Sequence, residues 1–179
     1  YLQHNNPTLE IDVVEIDGKL TELAKKEFNL TQTKQTQFFT EDAKTFLNQV
    51  NKKYDVIIWD VFSSVENIPD HLTTLETGKS IQNILHNNGS LYINTLSTLK
   101  GKQSSFLKAE LNTYHQIFSD IKTHNVSDPY DSTLIQNVII QASNQNKASQ
   151  VFFQVPIHFY INSLILTDQY CPGSYLANM

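Results

Sequence analysis

The chain has 179 residues, 40% hydrophobic and 17% charged, a balance that suits one globular domain with a real core. The formal net charge is −5 and all 13 basic side chains are Lys, so the guanidinium fork that reads guanine edges and grips phosphates is missing and no nucleic-acid partner is expected. No apolar run reaches the ~18 residues that span a bilayer, so no membrane partner is expected either, and the single cysteine, Cys171, excludes an internal disulfide framework and a Cys-based zinc site and points to a reducing, cytoplasmic setting.

Residues 9–16 (LEIDVVEI) alternate and then run apolar, as a mostly buried strand does. Asp17-Gly18 punctuates them, and residues 19–28 predict a helix with Leu20, Leu23, Ala24 and Phe28 on its inward face. A short strand is expected over 36–40 (TQFFT), then a helix over 41–50 with Ala43, Phe46, Leu47 and Val50 inward and Thr40 as its cap. Residues 54–59 (YDVIIW) are β-branched and aromatic and predict a strand; 61–72 lack a period, contain Pro69 and predict a loop. A helix over 74–86, halted by Asn87-Asn88-Gly89, precedes a strand over 90–95 (SLYINT) and an amphipathic helix over 104–117. Two β-rich stretches, 118–126 and 133–142, flank the turn at Ser127-Asp128-Pro129; residues 151–166, with Pro156 inside, predict a short helix and then an irregular segment.

Strand and helix alternate over the first 117 residues with short connections, the pattern of an open, mostly parallel α/β sheet covered on both faces, here with an antiparallel last pair. The chain opens at Tyr1 and its one Met is Met179, so residues 1–179 are read as a single domain that is incomplete at its front.

In such sheets ligands sit beyond the carboxyl ends of the strands. Three acids fall there: Glu15 or Asp17 after the first strand, Asp42 after the second and Asp60 after the third. In a nucleotide-binding unit an acid closing a strand accepts hydrogen bonds from ribose hydroxyls, and one beside a helix start is favoured by the helix dipole and can take an adenine amino group; a turn or capping role is the alternative for each. His71 and Asp70 precede the fourth helix, where packing and capping are the expected roles; Asp168 belongs either to a pocket wall or to a turn. His115, His124 and His158 show no metal-ligand spacing, so no metal is expected, and Cys171 has no His partner in sequence.

VVEID at 13–17, TEDAKTFL at 40–47 and YDVIIWD at 54–60 resemble successive motifs of the spermidine synthase (polyamine aminopropyltransferase) family. DVFSS and IPDHLTTLE within 60–76, HNNGSLYINT at 86–95, NVIIQAS at 137–143 and LTDQYCP at 166–172 resemble its spermidine synthase-like branch. The resemblance implies a Rossmann-like, class I methyltransferase-type fold that takes S-adenosylmethionine or its decarboxylated form. Glu15 would hold the ribose hydroxyls, Asp42 and Ala43 would meet the adenine, and Asp60 would take the place of the catalytic aspartate that orients and deprotonates an attacking amine. An ammonium has no lone pair, so something must accept its proton and hold the neutral amine in line with the sulfonium carbon. The implied reaction is aminopropyl transfer to a small-molecule amine; methyl transfer on the same fold and a non-catalytic binding module are the alternatives.

The pattern departs in three places. Ser63 stands where the family carries a second aspartate, which leaves Glu66 or Asp70, and Tyr170 near the C-terminus, as candidates for the acceptor side. The family's N-terminal hairpin domain has no counterpart in the sequence. No two of the five glycines are close enough for the glycine-rich turn, which would fall ahead of Tyr1 together with the central first strand. Losing that strand opens a gap of roughly 10 Å between the strands ending at Glu15 and Asp60. Each unmet buried backbone group there costs ~1–3 kcal/mol. The strand is therefore expected to come from a neighbouring chain in a homo-oligomer, from further upstream, or to be replaced by direct pairing of its neighbours.

Overall fold

Alternating apolar runs and polar turns set the order of elements: α1 (Leu2–Asn5), β1 (Ile11–Glu15), α2 (Gly18–Glu27), β2 (Thr36–Thr40), α3 (Ala43–Gln49), β3 (Tyr54–Trp59), α4 (Leu75–Ile84), β4 (Leu85–Ser97), α5 (Ser105–His115), β5 (Asp120–Asn125) and β6 (Gln136–Ser143). Short 3₁₀ turns occupy Asp70–Leu72 and Lys102–Ser104. The structure, a computed structural model, describes residues 2–61, 69–128, 130–144 and 165–169. It divides into two compact units, Tyr1–Val50 and Asn51–Met179.

In the first unit β1 and β2 pair in parallel, with Glu15 opposite Thr40 at their carboxyl ends. Asp17 caps α2 by accepting from Lys19 N at 2.9 Å, and Asn29, in the left-handed region at φ 51°, follows the helix end. The inward face expected for α2 is not the one observed. Leu20, Leu23 and Phe28 are 51%, 53% and 75% exposed, and Thr21 is the buried residue instead. Two strands about 4.8 Å apart make a ribbon too narrow to cover that helical stripe. On α3, Phe46 and Leu47 are buried as expected, and the Phe46 ring lies 4.9 Å from that of Phe39. Its cap is Asp42 rather than Thr40, because the carboxylate reaches Thr45 N at 3.0 Å and adds charge at the positive end of the helix.

In the second unit the strand order is β3-β4-β6-β5, with β3 and β4 parallel and β6 antiparallel to both its neighbours. The antiparallel last pair expected from sequence is present. The central strands β4 and β6 bury Leu91, Ile93, Val138, Ile140 and Ala142; α5 contacts both β4 and α4, and these helices bury Ile81, Leu107 and Leu111. One expected boundary moves: α4 stops at Ile84, and Asn87-Asn88-Gly89 lies inside β4 instead of ending a helix. Leu85 is already extended and buried beside Tyr54, and the Lys53 ammonium donates to the Asn83 carbonyl at the helix end. The pairing then shifts register between Tyr54 and Val56, and Gly89 sits where a Cβ would come within 3.0 Å of the carbonyl oxygens of His86 and Tyr54.

Among the described residues β1 pairs with β2 alone and β3 with β4 alone. The free edge of β3 carries Val56 and Ile58, 53% and 68% exposed. The helix expected within 151–166 falls on residues outside those described.

Candidate active site

Glu15 ends β1, half-buried, and its Oε1 accepts from the backbone N–H of Asp17 at 2.8 Å. That bond folds the side chain over the turn into α2, while Oε2 keeps no partner among the described residues. Asp42 follows β2 and Ala43 opens α3. Because Glu15 and Thr40 are in register in a parallel pair, Glu15, Asp42 and Ala43 share the carboxyl end of this ribbon. Two acceptors at one strand end suit a ligand that offers hydroxyl and amino donors.

Asp60 follows β3 directly and is exposed. Its Oδ1 accepts from Asn94 Nδ2 at 3.0 Å, across the step where Trp59 and Ile93 pair. The Trp59 indole, buried, donates to the Leu72 carbonyl at 3.3 Å and so ties the end of β3 to the 3₁₀ turn that opens at Asp70. Asp70 does not cap α4. Thr74 does, through Thr77 N at 3.3 Å. His71 is exposed beside it, and its carbonyl accepts from the Thr77 hydroxyl at 2.7 Å.

Residues 165–169 are fastened to the same region. Leu166 is fully buried, donates to Thr113 Oγ1 at 2.8 Å and accepts from Leu75 N at 2.8 Å. Asp168 accepts from the Thr74 hydroxyl at 2.6 Å, and its own N–H donates to Glu76 Oε2 at 2.8 Å. Asp168 is thus a tie to the start of α4. Ser63, Glu66, Tyr170 and Cys171 lie outside the described residues.

Glu110 of α5 is buried, and neither of its carboxylate oxygens has a hydrogen-bond partner among the described residues. Burial pushes it up to about 8, and the nearby Thr95 hydroxyl pulls it part of the way back. Burial and the charge of Glu110 hold the Tyr114 phenol well above its ordinary range, and burial lowers His115. A hollow of about 380 Å³ lined by Lys53, Asp55, Leu85, His86, Asn87 and Asn88 lies at the amino end of β3, opposite to Asp60, and none of the predicted site residues borders it. Among the described residues no three His, Cys, Asp or Glu side chains gather as metal ligands, and no helix is long and apolar enough to cross a membrane.

The profile of the spermine/spermidine synthase domain matches residues 2–154. The chain belongs to the spermine/spermidine synthase family. It is 26% identical over 193 aligned positions to the polyamine aminopropyltransferase of Vibrio vulnificus (strain CMCP6), covering 95% of this chain and 62% of that protein. This chain therefore spans about three fifths of the length of that relative. A probable spermidine synthase from Corynebacterium glutamicum ATCC 13032 superposes with a TM-score of 0.71 at 23% identity, covering 83% of this chain and 52% of the other. Human methyltransferase-like protein 13, solved in complex with SAH, superposes at 0.68 with 18% identity, covering 83% and 68%. These likenesses establish the fold expected from sequence, a Rossmann-like α/β sheet of the methyltransferase type. Glu15 closes β1, and Asp42 and Asp60 follow β2 and β3. Asn94 and the Asp168 tie were not read from the sequence; for Asn94 the one signal is that it is the sole amide within residues 90–95.

Proposed function

We propose that the protein of which this chain is part transfers an aminopropyl group from decarboxylated S-adenosylmethionine to a small amine. Membership of the spermine/spermidine synthase family supports the reaction class, and the named activity of the Vibrio vulnificus relative agrees with it. The observation that carries the reading is the carboxylate of Asp60, exposed just past the end of β3, with Oδ1 accepting a hydrogen bond from Asn94 Nδ2 at 3.0 Å. An exposed acceptor at this point can take a proton from an ammonium and align the freed lone pair. The residues of the first unit fit the nucleoside: Glu15 has a free oxygen for ribose hydroxyls, and Asp42 and Ala43 border the place for adenine. When bound, the sulfonium supplies an electrophilic carbon with a good leaving group, so the protein's task is mainly positioning. On the acceptor side we assign Asp70 the support of a cationic amine, in place of the acid that Ser63 does not provide, with Tyr170 as a further wall.

The test is calorimetry and turnover on the full chain with decarboxylated S-adenosylmethionine, S-adenosylmethionine and methylthioadenosine. Binding of the decarboxylated form with transfer to an amine is the expected result, and Asp60→Asn is expected to abolish transfer while nucleoside binding persists. Methyl transfer from S-adenosylmethionine moves the assignment to a methyltransferase. No binding of any of the three leaves a non-catalytic module and ends the proposal.

A further inference from the structure

Asn94 stands on β4, which is hydrogen-bonded on both sides: Ile93 pairs with Trp59 of β3 and Asn94 itself with Ile139 of β6. Asp60, by contrast, lies one residue past the end of β3, on chain that the ladder no longer restrains. A carboxylate only accepts, so the 3.0 Å contact must come from the amide nitrogen of Asn94, and this fixes which way the amide faces. Asn94 Oδ1 is then turned into the protein, buried and without a partner among the described residues. An unmet buried acceptor is costly and uncommon in a native fold. Packing alone would be served better by an apolar residue such as Leu in this strand. The amide therefore points to work done through its one side-chain hydrogen bond.

We propose that Asn94 is a positioning residue: it grips Oδ1 of Asp60 from a rigid strand and so aims Oδ2 at the incoming amine. This rests on the aminopropyl reading for its chemistry but on the strand register for its geometry. The contact is worth little to stability, because one partner is exposed and the other already bears an unmet oxygen. Its loss should appear in turnover instead, since a small misplacement of a reacting group can cost up to about 100-fold.

The experiment compares Asn94→Leu and Asn94→Asp with wild type in the full chain. Asn94→Leu is expected to lower kcat by roughly 10- to 100-fold, with nucleoside affinity unchanged and Tm unchanged or higher. Asn94→Asp keeps the volume, removes the donor and sets a like charge beside Asp60, so it should be at least as slow. If Asn94→Leu does not fold, Asn94→Ala takes its place. A second readout needs no turnover: the side-chain amide resonance of Asn94 should move in Asp60→Asn. Wild-type kcat in Asn94→Leu, a fall in Tm that accounts for the lost activity, or an unmoved amide resonance each overturns the inference. A wild-type chain that transfers nothing overturns the aminopropyl reading alone, and the amide resonance still decides whether Asn94 grips Asp60.

Discussion

Glu15 and Thr74 show how single side chains serve structure and ligand in different proportions. Glu15 spends one oxygen on Asp17 N and leaves the other open, so Glu15→Gln should weaken nucleoside binding by ~1–3 kcal/mol, the range for a hydrogen bond to a charged group. Calorimetry with methylthioadenosine measures this, and an unchanged affinity removes Glu15 from the site. Thr74 has a purely structural duty: its hydroxyl caps α4 and donates to Asp168, so it joins residues 165–169 to the unit. Thr74→Ala should cost about 1–3 kcal/mol in chemical denaturation through loss of both bonds. At this scale the acids were legible and their partners were not. Glu15, Asp42 and Asp60 stand out because a carboxylate at the end of an apolar run is conspicuous in one dimension. Asn94 meets Asp60, and Asp168 meets Thr74, only through pairings between segments 34 and 94 positions apart.

Elements whose identity rests on local composition follow the sequence closely, and those that depend on neighbours do not. The strands at 36–40 and 54–59 appear with the expected limits because β-branched and aromatic runs bounded by polar residues leave little choice. The exposed stripe of α2 was misread because helical spacing shows that an apolar face exists but not whether anything is there to cover it. Asn87-Asn88-Gly89 was misread because the same residues that stop a helix also permit an irregular strand. Gly89 is required there by crowding rather than by φ. Its Cβ would press on two backbone carbonyls, which cannot move as a side-chain tip can. Gly89→Ala is therefore expected to destabilise the second unit by about 1–3 kcal/mol, the usual cost of overpacking. Equilibrium unfolding checks this, and wild-type stability would show that the β3–β4 step relaxes freely.

The stability of the larger unit is tied to one buried acid. Glu110 is enclosed beneath β4 with Tyr114 and Thr95 around it, and its carboxyl is pushed up to about 8 from an ordinary value of 4.5. Between these values the unfolded chain has released the proton and the folded chain still holds it. A raised folded-state value means the stability associated with the neutral acid is fully present below pH 4.5 and declines as pH climbs through about 8. Within that window the slope approaches roughly 1.4 kcal/mol per pH unit. The direction is the reverse of a salt-bridged carboxylate, which would lose stability on acidification. Glu110→Gln keeps the shape and removes this titration, so the midpoint of urea unfolding should no longer fall between pH 5 and 8, leaving the gentler rise that the lowered His115 contributes, with the variant more stable than wild type at the upper end. Identical pH profiles for the two proteins would mean that Glu110 reaches water or a cationic partner in the folded chain, and that the core beneath β4 is more open than its burial indicates.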